Sequence, residues 1–339
     1  MLILTETDLR TVLPMSGVIS AVEQGFLALS RGEVAALERL RVDAPWAGGV
    51  MLEMPASLPP ASLPPLGVMG DREGRMGALG TKLVTVFPGN SALGLATVQA
   101  FYILLSATTG APLALLEGRF VTAIRTAATS AVATKFMAGA GAKQLAVFGA
   151  GVEAAFHIEA MPEVCELSGV LIVSRTIERA EALAFDTRNR LGLKARTASA
   201  EEAISSSNLI CTCTTSPAPL FDGQTIQPGT HINAVGAFAP DTRELDTAAI
   251  QRSRVVIDAN AAAGVEAGEI LIPLAERSIA PSHISGELAD VVSGRIRGRT
   301  SSQEITVFKS CGLAIEDIVA ARLAYENAIH RGVGTRVDL

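Results

Sequence analysis

A chain of 339 residues has room for two domains of ordinary size. Its 49% hydrophobic and 18% charged residues suit a globular enzyme, and a formal net charge of −6 argues against a nucleic-acid surface, which carries a basic stripe. No charge-free apolar run approaches the ~18–20 residues of a membrane span, and Met1-Leu-Ile-Leu-Thr-Glu-Thr-Asp-Leu-Arg10 lacks the basic region and cleavage site of a secretory signal. A cytoplasmic protein with neither nucleic-acid nor membrane partners is therefore expected. Cys165, Cys211, Cys213 and Cys311 and the four scattered histidines show no zinc spacing. They read as free thiols in a reducing compartment, with no metal.

The N-terminal part does not alternate strand and helix. Val18, Ile19, Val22, Phe26 and Leu29 recur at helical spacing between Ser16 and Arg31. Short apolar segments follow at 39–43, 49–54, 66–69 and 79–87, expected as strands of a mixed or antiparallel sheet. The near-repeat Pro55-Ala-Ser-Leu-Pro-Pro-Ala-Ser-Leu-Pro-Pro65 reads as a stiff surface loop, because proline cannot donate to a ladder. An alanine- and threonine-rich helix covers 123–140, closed by Gly139 and Gly141. From there strands and helices alternate: apolar strands at 144–148, 169–173, 208–214, 231–236, 254–259 and 304–308 predict a parallel, doubly wound sheet. The final helix, 313–329, returns to the first domain.

The turn after the first of these strands is Gly149-Ala150-Gly151-Val152-Glu153-Ala154, a Gly-X-Gly-X-X-Ala with strand before and helix after. That context is what dinucleotide binding requires: backbone N–H groups and the positive end of a helix meet a pyrophosphate. An NAD site has an acidic residue at the end of the second strand to hold the ribose 2′-hydroxyl. Here Val173 is followed by Ser174-Arg175-Thr176, whose guanidinium and hydroxyls suit a 2′-phosphate. NADPH is favoured over NADH; the alternative is that Arg175 is a solvated helix-start residue.

Five segments together carry a resemblance: Gly80–Asn90, Leu115–Ser130, Val147–Ala154, Gly286–Gly294 and Phe308–Asp317. In order along nearly the whole chain, they resemble the ornithine cyclodeaminase/μ-crystallin family. The resemblance implies an α/β fold. A Rossmann NAD(P)-binding domain (123–311) would accompany a discontinuous α+β dimerisation and substrate domain (1–122 and 312–339), in a homodimer. It also implies that Arg41, Lys82 and Arg125 cradle the carboxylate of a small imino or amino acid, in keeping with the affinity of cations, arginine above all, for carboxylates. The alternative for Arg41 is an exposed, charged strand. Thr126, Thr214, Val235, Gly236 and Ser310 join the cofactor set, with Gly312 near the nicotinamide.

The family's cyclodeaminases carry an acid/base aspartate in the stretch that here reads Gly236-Ala-Phe238-Ala-Pro-Asp241, and Phe238 takes its place. Asp241 is either a substitute acid or a helix cap, the cap being preferred. The expectation is NADPH-dependent reduction of Δ1-pyrroline-2-carboxylate or Δ1-piperideine-2-carboxylate to L-proline or L-pipecolate. Alternatives are an ornithine cyclodeaminase, an alanine dehydrogenase, and a μ-crystallin-like NADPH-binding protein.

Overall fold

In the computed structural model the structure describes residues 1–37, 39–60 and 77–338, with only the backbone of Ser91 and Ala261. The chain divides into two units, Met1–Arg125 with Leu313–Leu339, and Thr126–Gly312. The sequence set these junctions at 122/123 and 311/312.

The first unit opens with β1 (Leu2–Leu4), α1 (Glu6–Val12) and α2 (Met15–Ser30). Thr5 and Asp8 start α1 as a capping box, with Thr5 Oγ1 accepting from the Asp8 N–H and Asp8 Oδ2 from the Thr5 N–H. Strands β2 (Ala35–Ala36), β3 (Leu40–Ala44), β4 (Gly49–Leu58), β5 (Ala78–Val86), β6 (Val98–Ser106) and β7 (Pro112–Glu117) follow, then α3 (Gly118–Met137), of which the residues up to Arg125 belong to this unit. The second unit holds β8 (Lys143–Phe148), α4 (Val152–Ala160), β9 (Leu167–Val173), α5 (Ile177–Leu191), β10 (Ala195–Thr197), α6 (Ala200–Ser206), β11 (Leu209–Thr212) and β12 (His231–Ala234). It continues through α7 (Thr247–Gln251), β13 (Ser253–Ile257), α8 (Asn260–Glu266), α9 (Gly268–Ala275), β14 (Ile284–Glu287), α10 (Leu288–Val292) and β15 (Ile305–Lys309). The chain then re-enters the first unit with α11 (Ala314–Arg331) and β16 (Thr335–Arg336).

The first sheet runs β16-β1-β7-β6-β5-β4-β2, with β3 also on β4, and only its β1–β7 pair is parallel. Paired residues of antiparallel strands share a face. Met54, Lys82, Tyr102 and Leu116 therefore lie in one row across β4 to β7, on the face that α11 covers. Buried on almost every side, α11 also packs against α2 and ties to the end of α1 through Asn327, whose Nδ2 donates to the Val12 carbonyl.

The proline segment departs from expectation. Pro55–Leu58 belongs to β4, paired with Thr81–Ala78. On its other edge β4 changes partner between Glu53, opposite Leu40 of β3, and Ala56, opposite Ala36 of β2. Pro55 thus sits in a gap of that ladder, where no N–H is required. The rest of the proline run past residue 60, and the strand expected at 66–69, lie outside the described residues.

The second sheet is wholly parallel, in the order β10-β9-β8-β11-β12-β15-β13-β14. Strand order reverses between β8 and β11, the switch point at which doubly wound sheets bind ligands beyond their carboxyl ends. Phe148, Ile210, Ile232, Val255 and Val307 fill the core on this sheet. Among the described residues no single helix is long and apolar enough to cross a membrane.

Candidate active site

In the first unit, Lys82 and Arg125 are 2% and 4% exposed. Buried cations are costly unless paired, and both are paired with the first turn of α11. Asp317 Oδ1 accepts from Lys82 Nζ at 3.0 Å and from Arg125 Nε at 2.9 Å, and its Oδ2 lies 2.9 Å from the same ammonium. Glu316 takes Arg125 Nη1 at 2.5 Å through one oxygen and caps the helix by accepting the Leu313 N–H through the other. Burial and the neighbouring Arg125 push the Lys82 ammonium down to about 8, against the opposing pull of Asp317. Burial works to raise the Asp317 carboxyl, but Arg125 and Lys82 hold it below its ordinary range.

Arg41 is not brought to this pair. Its guanidinium is exposed and bonds Asp43, Nε to Oδ1 at 2.9 Å. The third cation acting on Lys82 is Arg39. Arg41 pairs with Leu52 and Leu40 with Glu53, so extending that register by one residue sets residue 39 level with Met54, in the row of Lys82. A period of two puts 39 and 41 on the same face; the row separates them, and the sequence does not show the row.

In the second unit, Gly149 adopts φ +116°, and a Cβ there would stand 2.5 Å from the Cys213 carbonyl oxygen. Only glycine fits both constraints. Gly151 caps α4, with no atom within 4 Å of where its Cβ would be; a side chain is thus absent where a diphosphate needs access to the helix N-terminus. Ala154 is fully buried against the sheet, while Val152 is 65% exposed at the turn. His157, one turn further along α4, is buried between the Glu153 carbonyl (2.7 Å) and Ser130 Oγ (2.9 Å), and burial lowers it to about 4. At the end of β9, Ser174 Oγ accepts the Thr176 N–H at 3.2 Å. Arg175 is exposed and forms no ion pair among the described residues. Thr126 is buried at the start of this unit.

The loops beyond β11, β12, β13 and β15 are fastened by charges the sequence reading passed over. Glu244, fully buried, accepts from the Thr214 N–H (2.7 Å), the Thr214 hydroxyl (2.6 Å) and the Gly236 N–H (2.7 Å). Thr214 and Gly236, both expected in the cofactor set, are thus fixed in place by this carboxylate. Val235 donates its N–H to the Thr212 carbonyl. Glu269 accepts the Glu244 N–H at 3.0 Å and pairs with Lys309 at 3.1 Å; Lys309 also reaches the Ala237 carbonyl. Asp258 accepts the N–H groups of Ala259, Cys311 and Gly312, which fixes the loop carrying Ser310. The Ser310 N–H bonds the Ala234 carbonyl. Phe238 is half-exposed on the β12 loop. The cap of the next helix is Asp246, which accepts from the Ala249 N–H at 2.7 Å, not Asp241; the helix starts later because the chain first turns Glu244 inward.

Asp317, Glu316 and Glu244 carried one faint signal, acidic residues next to apolar ones at helix starts or turns. That pattern also marks ordinary N-terminal capping.

The sequence matches the profile of the ornithine cyclodeaminase/mu-crystallin family over residues 1–332. It is 43% identical over 263 residues, 77% of this chain and 81% of the relative, to a Δ1-pyrroline-2-carboxylate reductase of Bacillus cereus (strain ZK / E33L). Among solved structures it is similar to the Thermococcus litoralis Δ1-pyrroline-2-carboxylate reductase in complex with NADH and L-proline, at 38% identity and a TM-score of 0.91, over 99% of this chain and 100% of that one. An archaeal alanine dehydrogenase dimer with bound NAD matches at 31% identity and a TM-score of 0.90, over 100% and 99% of the two chains. From its first residues to the end of its last helix, the chain belongs to the ornithine cyclodeaminase/mu-crystallin family.

Proposed function

We propose that the protein reduces a cyclic ketimine bearing a carboxylate, Δ1-pyrroline-2-carboxylate or its six-membered homologue, to L-proline or L-pipecolate with NADPH. The observation that carries this reading is the pair of buried cations, Lys82 and Arg125, held in fixed geometry by carboxylates of α11. Such a pair suits one small carboxylate: the planar arginine fork orients it, and the ammonium lies beside it as a point charge. The similarity to reductases, one of them solved with NADH and L-proline, supports the same reading.

The residues fit a dinucleotide. Gly149, Gly151 and the N-terminus of α4 would hold its diphosphate, with Ala150, Val152 and Glu153 completing the turn and Thr126 nearby. Ser174, Arg175 and Thr176 would hold a 2′-phosphate, which is why we favour NADPH over NADH. Ser310 and Gly312, on the loop fixed by Asp258, would border the nicotinamide, with Val235. When bound, the cofactor supplies the hydride. Arg125 and Lys82 bind the substrate carboxylate, Arg39 adds to the local positive field, and Lys82 Nζ holds the proton that keeps the imine nitrogen cationic and open to attack at carbon. Phe238 cannot transfer a proton, which disfavours the cyclodeaminase reading.

The sheet face opposite Lys82 leaves Leu40, Val42, Met51, Leu79 and Phe101 each more than a third exposed. A patch of this kind marks an interface, and we assign it to a second copy of the chain, in a homodimer. The four free cysteines suit the cytoplasm.

The test is oxidation of NADPH with each imine, run beside NADH, beside pyruvate with ammonia, and beside ornithine with NAD. Imine-dependent NADPH loss without ammonia release from ornithine is expected. Tight NADPH binding with no turnover of any imine would overturn the reductase reading.

A further inference from the structure

We propose that Asp317 is the positioning residue of the cationic pair: its one carboxylate, on the first turn of α11, fixes the Lys82 ammonium and the Nε edge of Arg125 together, and so sets where the lysine proton and the arginine fork point. This rests on the reductase reading of the same residues. A lysine ends in a point charge on a flexible four-carbon stem and has no preferred direction of its own. Here Asp317 meets it with both oxygens, at 3.0 and 2.9 Å, while Oδ1 also takes Arg125 Nε at 2.9 Å. Glu316 holds Arg125 through Nη1 and caps its own helix through the Leu313 N–H. The one carboxylate of Asp317 connects both cations, and it is fully buried. Four charges in a core are no stabilising device in themselves, since apolar residues of similar volume commonly replace buried ion pairs without loss. Their geometry is the property that a positioning role requires.

The groups facing Lys82 come from several elements: Asp317 from α11, Arg125 from α3 (itself paired with Glu316), Arg39 from the segment before β3, and Tyr102 opposite it on β6. The Tyr102 hydroxyl is buried and has no hydrogen-bond partner among the described residues. Burial and the nearby Asp317 raise its titration well above the ordinary value, so it adds no charge. Arg125 and Arg39 disfavour a protonated Lys82, and Asp317 opposes them. Without Asp317 the lysine must lose its proton at lower pH.

The experiment compares wild type, Asp317→Asn and Asp317→Glu as full-length proteins with NADPH. It reads the pH profile of kcat, the NADPH Kd, and the titration of Lys82 by 13C NMR of ε-labelled lysine, assigned by its loss in Lys82→Met. In Asp317→Asn we expect the Lys82 titration and the alkaline limb of kcat to move together from about 8 to lower pH. A fall in kcat of about a hundredfold, the low end of what proton transfer contributes, should accompany an unchanged NADPH Kd. Asp317→Glu keeps the charge but moves it, so the titration should stay near its wild-type position while kcat recovers only in part. An Asp317→Asn protein with wild-type titration and kcat overturns the proposal, as does full activity in Asp317→Glu should the asparagine variant fail to fold. A wild type that reduces no imine removes the reductase reading, and the NMR titration then decides the role of Asp317 by itself.

Discussion

In the proposed NADPH site, cofactor choice turns on Arg175. An exposed guanidinium at the end of β9, flanked by two hydroxyls, has no carboxylate partner among the described residues, and a charge-assisted bond to a phosphate is worth about 1.5–3 kcal/mol. Arg175→Ser should therefore raise the KM for NADPH by about ten- to a hundredfold at 1.4 kcal/mol per tenfold, and leave the KM for NADH in place. Equal losses with both cofactors would return Arg175 to a solvated helix start. Cations of this kind were legible in the sequence. Lys82 and Arg125 stood out because they interrupt apolar segments, whereas choosing Arg39 over Arg41 needed the strand register. Asp317 and Glu244 escaped because an acid at a helix start has a capping explanation ready to hand, and only burial shows that they are committed elsewhere.

At the scale of elements, the Gly149 turn joins sequence to site most directly. Its φ of +116° and the Cys213 oxygen behind it leave no room for a methyl group. Gly149→Ala should cost about 1–3 kcal/mol from backbone strain alone, with a further loss as the turn shifts away from the diphosphate. Thermal unfolding reads the first effect and fluorescence titration with NADPH the second; an alanine variant with wild-type values in both would contradict the role given to this turn. The parallel sheet was readable because its strands are short apolar runs separated by helical stretches. In the first unit the signals were weaker. Strands β6 and β7 went unread, since Val98–Ser106 and Pro112–Glu117 are separated by only a short turn. Pro55 concealed the end of β4, because a proline reads as a break until a gap in the neighbouring ladder is seen to accommodate it.

The whole molecule carries two further consequences. Burial lowers His157 to about 4 from an ordinary 6.5. A group held neutral in the fold contributes stability that is complete above its unfolded value and is lost as pH falls toward the folded one. Below pH 6.5, then, unfolding takes up a proton, and the unfolding free energy should fall more steeply in wild type than in His157→Gln, by about 1.4 kcal/mol per pH unit. Urea titrations between pH 7 and pH 4 check this; parallel curves for the two proteins would show that His157 is protonated in the fold. The second consequence concerns assembly. Phe101 is 42% exposed on the apolar face assigned to the homodimer. Phe101→Glu, which buries an unpaired charge in that interface, should halve the sedimenting mass while leaving the secondary structure intact. A variant with the wild-type mass would place the interface elsewhere.

In the proposed reaction the hydride goes to the carbon bearing the carboxylate of a cyclic imine. The most direct measurement is turnover of Δ1-pyrroline-2-carboxylate with NADPH deuterated at the transferring position, followed by mass and NMR analysis of the product. L-Proline with a single deuterium at C2 is expected. Unlabelled proline, or oxidation of the cofactor with no proline formed, would contradict it.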